Sequence, residues 1–446
     1  MKTILTRLVG VLLCASTLPV VAADDGITLA IAGGRLIDGY GGTPLPDSVI
    51  LVAGDRIAAI GLEGELAIPD AVPVVDANGM TVMPGLIDLH VHFDIIGHGD
   101  YPHWFSNYEN RMRSDIIPAA AKIMLHSGVT SVRDLGTDIS NAFWLREEIN
   151  SGRMQGPRPF IAGPFLRKST TPFVSKDFVD TWVVENPRDA RDKVRQLVEM
   201  GVDLIKTQDE ELSFEELQAI YDEAHRLGMP VATHLFSQHA LRTALEAGLG
   251  SGDTIEHVGE GRQPAYPDDI VDMIIEQDVY LAPTIIAEEG IRQLYLNPEF
   301  LDHPDWRRYV PADLYEDIMA SYENLQRHPL FGRAVLGRDG KIAKLRQLHA
   351  AGGNFILASD SGTRGNPHFA AAWREMYFLV REVGLTEMEA IMAGTSEAAR
   401  ILRQRDLGAI AEGKLADIIV VDGDPLMDIG AMRNVARVIK DGRVVR

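Results

Sequence analysis

The sequence predicts an α/β protein: a (β/α)8 barrel of the TIM type with a small β-sandwich built from both chain ends. Three observations carry that prediction. Short apolar, β-branched runs alternate with helical patterns through the middle of the chain. Histidine, lysine and aspartate recur where those runs end. Both chain ends are rich in β-branched residues and turn glycines.

The strand-like runs are residues 82–89, 129–132, 159–162, 202–205, 230–232, 254–256, 279–282 and 354–358. Helical patterns of roughly ten to fifteen residues lie between most of them. Ser213-Phe-Glu-Glu216 and Thr386-Glu-Met-Glu389 are capping boxes, in which hydroxyl and glutamate satisfy each other's orphan backbone donors. Asn186-Pro187 sets a cap before a proline at the first helical position. Eight such units over residues 83–360 match the usual barrel size of ~250 residues. An open doubly wound sheet ranks lower, because no Gly-x-Gly-x-x-Gly follows the first run. Between the seventh and eighth runs lies an insertion, residues 285–350, containing Trp306, Arg307, Arg308, Tyr309 and Tyr315. It reads either as a lid or as a helical pair on the surface. Residues 24–83 and 407–446 are expected to form the two parts of one β-sandwich domain around a barrel over 84–406.

Residues 1–23 have the form of a secretory signal. Lys2 and Arg7 supply positive charge, residues 8–21 an apolar stretch, and Val21-Ala22-Ala23 a small-residue cleavage point before Asp24. A membrane anchor is the alternative, weakened by the short apolar run. Cys14 is the only cysteine, so the mature chain would hold neither disulfide nor thiol. This suits an oxidising compartment, and a periplasmic or secreted location is expected. The formal net charge is −21, and loss of the leader takes it to −23. Such a field repels nucleic acid and anionic membrane surfaces.

In a barrel of this kind chemistry gathers at the C-terminal ends of the strands. The first run ends in His90-Val91-His92, the fourth at Lys206, the fifth at His234, the sixth at His257 and the eighth at Asp360. Residues i and i+2 of a strand share a face, so His90 and His92 point to the same ion. Neutral imidazole suits zinc and similar divalent ions. A carboxylate such as Asp360 both binds an ion and exchanges protons with water. A lysine ammonium has no lone pair to give a metal, whereas a lysine carbamate has two oxygens that bridge two ions. Each residue alone reads equally as a core or hydrogen-bonded group; their order and phasing with the strands give the set its meaning. Arg364, Arg167 and His239 follow the eighth, third and fifth runs and are candidate substrate contacts. His368, after the eighth run, is a second-rank candidate of the same kind, and the remaining histidines, His98 and His103 among them, read as solvated or core-satisfied.

Met83-Pro-Gly-Leu-Ile-Asp-Leu-His-Val-His92, Gly128-Val-Thr-Ser-Val-Arg-Asp-Leu-Gly136, Thr254-Ile-Glu-His-Val258 and Ala358-Ser-Asp-Ser-Gly362 resemble strand motifs of the amidohydrolase superfamily. Glu412-Gly-Lys-Leu-Ala-Asp417 resembles its return into the chain-end domain. Asp203-Leu-Ile-Lys206 resembles the imidazolonepropionase-related subgroup that holds bacterial Xaa-Pro dipeptidases. The resemblance implies two divalent metal ions, zinc fitting the ligands. It sets His90, His92 and Asp360 on one ion, His234 and His257 on the other, and Lys206 between them as N6-carboxylysine. The loops after His234 and Asp360 depart from the common pattern at positions that contact substrate.

The expected function is metal-dependent amide hydrolysis by a metal-bridging hydroxide, with Asp360 as general base and then acid. The first substrate class is a dipeptide or N-acyl amino acid. Competing readings are a lactone, ester or ring-amide hydrolase with the same site, a mononuclear deaminase, and a non-catalytic metal- or ligand-binding barrel. Expected partners are a small-molecule or peptide substrate and further copies of the chain as a homo-oligomer, not nucleic acid or, after cleavage of the leader, membrane.

Overall fold

The computed structural model describes residues 26–168, 182–259, 263–297, 301–323 and 336–446. The expected signal peptide and Cys14 lie outside them. No helix among the described residues is long and apolar enough to cross a membrane.

The two chain ends contribute strands to one sheet, where a β-sandwich was expected of them. Strands β1 (Ile27–Leu36), β2 (Leu45–Ala53), β3 (Arg56–Leu62), β4 (Val74–Asp76) and β5 (Thr81–Pro84) come from the first part. Later in the chain, β15 (Ile418–Val421), β16 (Val435–Lys440) and β17 (Arg443–Val444) join them, in the order β17-β16-β15-β5-β1-β2-β3 with β4 also on β1. Hydrogen bonding makes this one sheet. β1 is long enough to carry β2 on one edge and both β4 and β5 on the other, and its register shifts at Gly34 let it bend between them.

Between these ends the strands are parallel. β6 (Leu86–Val91), β7 (Val129–Asp134) and β8 (Arg158–Ile161) form one sheet. β9 (Phe165–Arg167), β10 (Ile205–Gln208), β11 (Val231–His234), β12 (Thr254–Glu256), β13 (Tyr280–Ala282) and β14 (Asn354–Phe355) form the other, in chain order. A single closed ladder is therefore not formed. Single backbone bonds link the two sheets on both flanks. Leu89 donates to Leu357 and Asp360 to His90, while Asp203 donates to Ile161.

Strand boundaries differ from the sequence expectation, and three of the differences change how the chain enters the sheets. The run 82–89 is two strands, because Gly85 turns the chain from the chain-end sheet into the parallel one. The third run breaks into β8 and β9 at Gly163-Pro164. Gly163 has φ +69° and Pro164 has no N–H for a ladder. The fourth begins at Ile205, so Lys206 stands near its start.

The helices follow their caps. Asn186 caps the helix Pro187–Met200, and both capping boxes are present, on Phe214–Arg226 and Glu387–Ala393. Helices Pro304–Tyr309 and Ala312–Ala320 of the insertion pack on the segment after β6. Trp306 is buried, Arg111 pairs with Asp313, and Asp317 accepts from His103 and Tyr108 at 2.9 Å each. Residues 301–323 do not line the cavity described below.

Gly85 is tightly enclosed: a Cβ there would lie 2.2 Å from Thr130 Oγ1. Gly85→Ala is expected to destabilise the protein by about 1–3 kcal/mol through overpacking. Denaturant unfolding monitored by fluorescence checks this, and an unchanged midpoint would show that the joint adapts freely.

A buried histidine and carboxylate cluster at the strand ends

His90 lies inside β6, and His92 follows it by two residues on the same face. His234 ends β11, and His257 directly follows β12. Asp360 sits in the turn after β14. Both His257 (φ 70°) and Asp360 (φ 56°) take left-handed backbone, as does Thr284 (φ 49°) after β13. Non-glycine residues hold this conformation only when neighbours enforce it. Asn366 does so at Asp360, donating through Nδ2 to the carbonyls of Ser359 (2.7 Å) and Asp360 (2.9 Å). Gly362 permits the same turn, since a Cβ there would meet the His92 carbonyl at 2.4 Å.

The side chains converge. Asp360 Oδ1 lies 3.1 Å from His92 Nε2 and 3.4 Å from His90 Nε2. His257 Nε2 lies 2.8 Å from His234 Nδ1. Ligand atoms of His90, His257 and Asp360 all fall within 4.8 Å of one another. Lys206 is buried beside them, near enough for its charge to act on His90, His257, Glu256 and Asp360.

The tautomers suit metal binding. His90 Nδ1 is 2.6 Å from Glu256 Oε2, so that nitrogen donates and Nε2 keeps its lone pair toward Asp360. His257 Nδ1 bonds Thr284 Oγ1 at 2.8 Å, which directs Nε2 inward in the same way. Burial, reinforced by the charge of Lys206, pushes the His90 imidazole down to about 4. Burial, with His234, His90 and Lys206 adding to it, holds His257 well below its ordinary value. Both rings are neutral, the form that binds a metal. Burial opposes ionisation of Asp360, but His90, His92 and Lys206 outweigh it and lower its pKa.

Behind the cluster lies a support that the sequence expectation missed. Glu256, 0% exposed, also accepts from Arg133 Nη2 at 2.7 Å, and Arg133 is 2% exposed. Arg133 Nε donates to the Leu89 carbonyl at 2.6 Å, joining β7 to β6. A signal was present: arginine within the apolar run 129–134 and glutamate two residues after Thr254 both point inward on strands that should be apolar.

A cavity of about 260 Å3 opens over the cluster. Its walls include Ile95, Tyr101, Phe105, Phe165, Phe236 and Ile291. Phe165 stands edge-on to His92 at 6.5 Å, and Phe236 lies 5.1 Å from His257. Arg364 and Arg167 both line it. Arg364 stacks on Tyr101, its guanidinium carbon 3.7 Å from the ring centroid, and Nε donates to the Gly99 carbonyl. Arg167 is buried, which lowers its pKa. The structure does not bring His239 to the cavity. It is exposed in the first turn of the helix Gln238–Ala247.

Known proteins share this arrangement of strands. The Aspergillus niger protein named ochratoxinase is 25% identical over 96% of this chain and 89% of its own length. A solved structure of a Xaa-Pro dipeptidase with bound methionine in the active site is 28% identical, covers 94% of this chain and 99% of its own, and has a TM-score of 0.74. The structure of molinate hydrolase is 25% identical, covers 94% and 95%, and has a TM-score of 0.72. Residues 81–445 match the profile of the Amidohydrolase family, a span that holds every member of the histidine and carboxylate cluster. The chain thus belongs to the amidohydrolase family and is a hydrolase acting on amide bonds.

Proposed function

We propose that this protein is an exported hydrolase that uses two divalent ions to cleave the amide bond of a dipeptide or an N-acyl amino acid. The observation that carries this reading is the set of ligand atoms from His90, His257 and Asp360 within 4.8 Å of one another at the foot of a cavity of about 260 Å3. His90, His92 and Asp360 would hold one ion and His234 and His257 the other, zinc fitting the donors. Lys206, carboxylated on its amine, would lie between them. When bound, such ions bring the pKa of a water toward about 7 and polarise a carbonyl. Asp360 accepts the proton that water loses as it attacks the carbonyl carbon. It then gives that proton to the amide nitrogen as the carbon–nitrogen bond breaks. Phe165 and Phe236 exclude bulk water from the bond being cleaved. Arg364, held flat on Tyr101, receives the substrate carboxylate.

The same reading makes the two parallel sheets, 84–406, one (β/α)8 barrel whose strands join across the single bonds at Leu89 and Asp203. Residues 24–83 and 407–446 form its companion domain. Residues 1–23 are removed on export to the periplasm or beyond.

Metal analysis of the mature protein is expected to find about two ions per chain. Lys206→Ala and His90→Ala should lose both metal and turnover. Asp360→Asn should lose hydrolysis of a dipeptide and N-acyl amino acid panel while keeping much of the metal. Glu256→Gln, which weakens the hold on His90, should lower metal affinity about 10–100-fold. One ion or none after restoring metal and bicarbonate, with no turnover, would sink the two-ion reading.

Arg364→Ala should raise KM for substrates with a free carboxylate by about tenfold or more, the loss of one charge-assisted pair, and leave their amidated counterparts unchanged. Equal effects on both would remove Arg364 from carboxylate recognition. Mass spectrometry of the exported protein should find Asp24 at its N terminus; retention of Met1 would overturn cleavage at this point.

A further inference from the structure

Thr284 stands at the N-cap of the helix Ile285–Leu296, just after β13. A threonine there ordinarily holds extended backbone and spends its hydroxyl on a free N–H of the first turn. Thr284 does neither. Its backbone is left-handed (φ 49°), and its side chain caps nothing in its own helix. The hydroxyl goes to His257 Nδ1 at 2.8 Å instead.

The cap comes from another helix. Glu375, in Ala371–Phe378, accepts the Ile285 N–H on one carboxyl oxygen at 2.9 Å and the Ile286 N–H on the other at 2.8 Å. Both are orphan donors of the first turn, and the second is one that an N-cap threonine would take for itself. Glu375 and Thr284 are both 0% exposed. A third helix, Arg338–Ala350, supplies Lys341, which is buried and whose Nζ donates to the Thr284 carbonyl at 3.3 Å. The peptide unit between Thr284 and Ile285 is thus gripped at its carbonyl and at its N–H.

Acidic and basic side chains this deep are costly unless they are hydrogen-bonded there. An apolar residue at position 375 would leave the N–H groups of Ile285 and Ile286 buried and unpaired. Thr284 could satisfy one of them only by withdrawing its hydroxyl from His257. Glu375 is not among the residues that line the hydrolytic cavity, so its reach into the site runs through Thr284.

We propose that Glu375 is a positioning residue of the hydrolytic site: by capping the helix in place of Thr284, it leaves the Thr284 hydroxyl to hold the His257 ring. Lys341 keeps the Thr284 carbonyl in the left-handed turn that this needs. The link to catalysis rests on the reading of His257 as a metal ligand, whereas the placement of the ring is tested without metal.

Two measurements on the full mature chain decide it. The first is 15N NMR of histidine-labelled protein before metal is added, with the His257 signal assigned from its loss in His257→Gln. The wild-type ring should carry its proton on Nδ1. Glu375→Gln keeps the side-chain shape but turns one acceptor into a donor, and part of that proton should move to Nε2. The second is zinc affinity, by chelator competition. Glu375→Gln and Thr284→Val should each weaken zinc binding about 10–100-fold, and Thr284→Ser should stay at the wild-type level. The double variant Glu375→Gln/Thr284→Val should bind zinc no more weakly than the weaker single variant, because both changes act on one hydrogen bond. Losses that multiply in the double variant, or a His257 tautomer that Glu375→Gln leaves unchanged, overturn the proposal. If the wild-type chain takes up no zinc, the two-ion reading falls and the tautomer alone decides the role of Glu375: it stands if the proton moves and falls if it does not. Should Glu375→Gln fail to fold, Glu375→Asp, with its carboxyl withdrawn by one methylene, takes its place with the same expected results.

Discussion

The buried pair between Arg133 and Glu256 is the interaction on which the strand-end cluster rests. Neither charge reaches water, so each needs the other. Together they span the parallel strands: Arg133 holds the Leu89 carbonyl of β6 and Glu256 holds the His90 ring that β6 carries. Removing one partner of such a pair leaves an uncompensated buried charge, typically about 3–5 kcal/mol. The same contact sets the tautomer of His90, and so decides which nitrogen looks into the cavity. A structural ion pair and a chemical one are therefore the same group here.

The cluster also depends on backbone that resists it. His257, Thr284 and Asp360 follow three neighbouring strands and all take left-handed φ. Each residue turns its side chain over the strand ends as the chain leaves the sheet. The surroundings hold this strain in place: Asn366 and Thr363 bind the Asp360 carbonyl, and Gly362 clears space below the His92 carbonyl. Rigid placement costs stability locally and gains preorganisation, because the ligand atoms need not move to meet.

Much of this was legible in the sequence. His90, His92, His234, His257 and Asp360 could be found because strand ends are marked by the switch from apolar runs to polar residues. Lys206 was found too, although its strand begins three residues later than the apolar run suggests. Residues 202–204 are apolar or acidic for reasons of core packing and the Asp203 bond to Arg146, not because they pair in a ladder. The break at Gly163-Pro164 was visible as residue types but not as a division between sheets, since only a partner strand shows where pairing passes from β8 to β9. His239 failed as a contact because one helical turn carries it away from the cavity, and proximity in sequence to His234 says nothing of that direction.

The sheet made from both chain ends has a kinetic consequence. β5 pairs with β15, so Met83 meets Ile419 only when nearly the whole chain is available. Translation at about 5–20 residues per second leaves the first strands waiting for many seconds, with one edge of β5 unpaired. An open edge of that kind is a template for wrong pairing with another chain. Closing the sheet also draws the two ends of a very long loop together, which places this contact late in folding. The chain-end sheet is thus late to complete itself, and a ribosome that stops short of residue 418 releases a chain whose β5 lacks its partner on one edge.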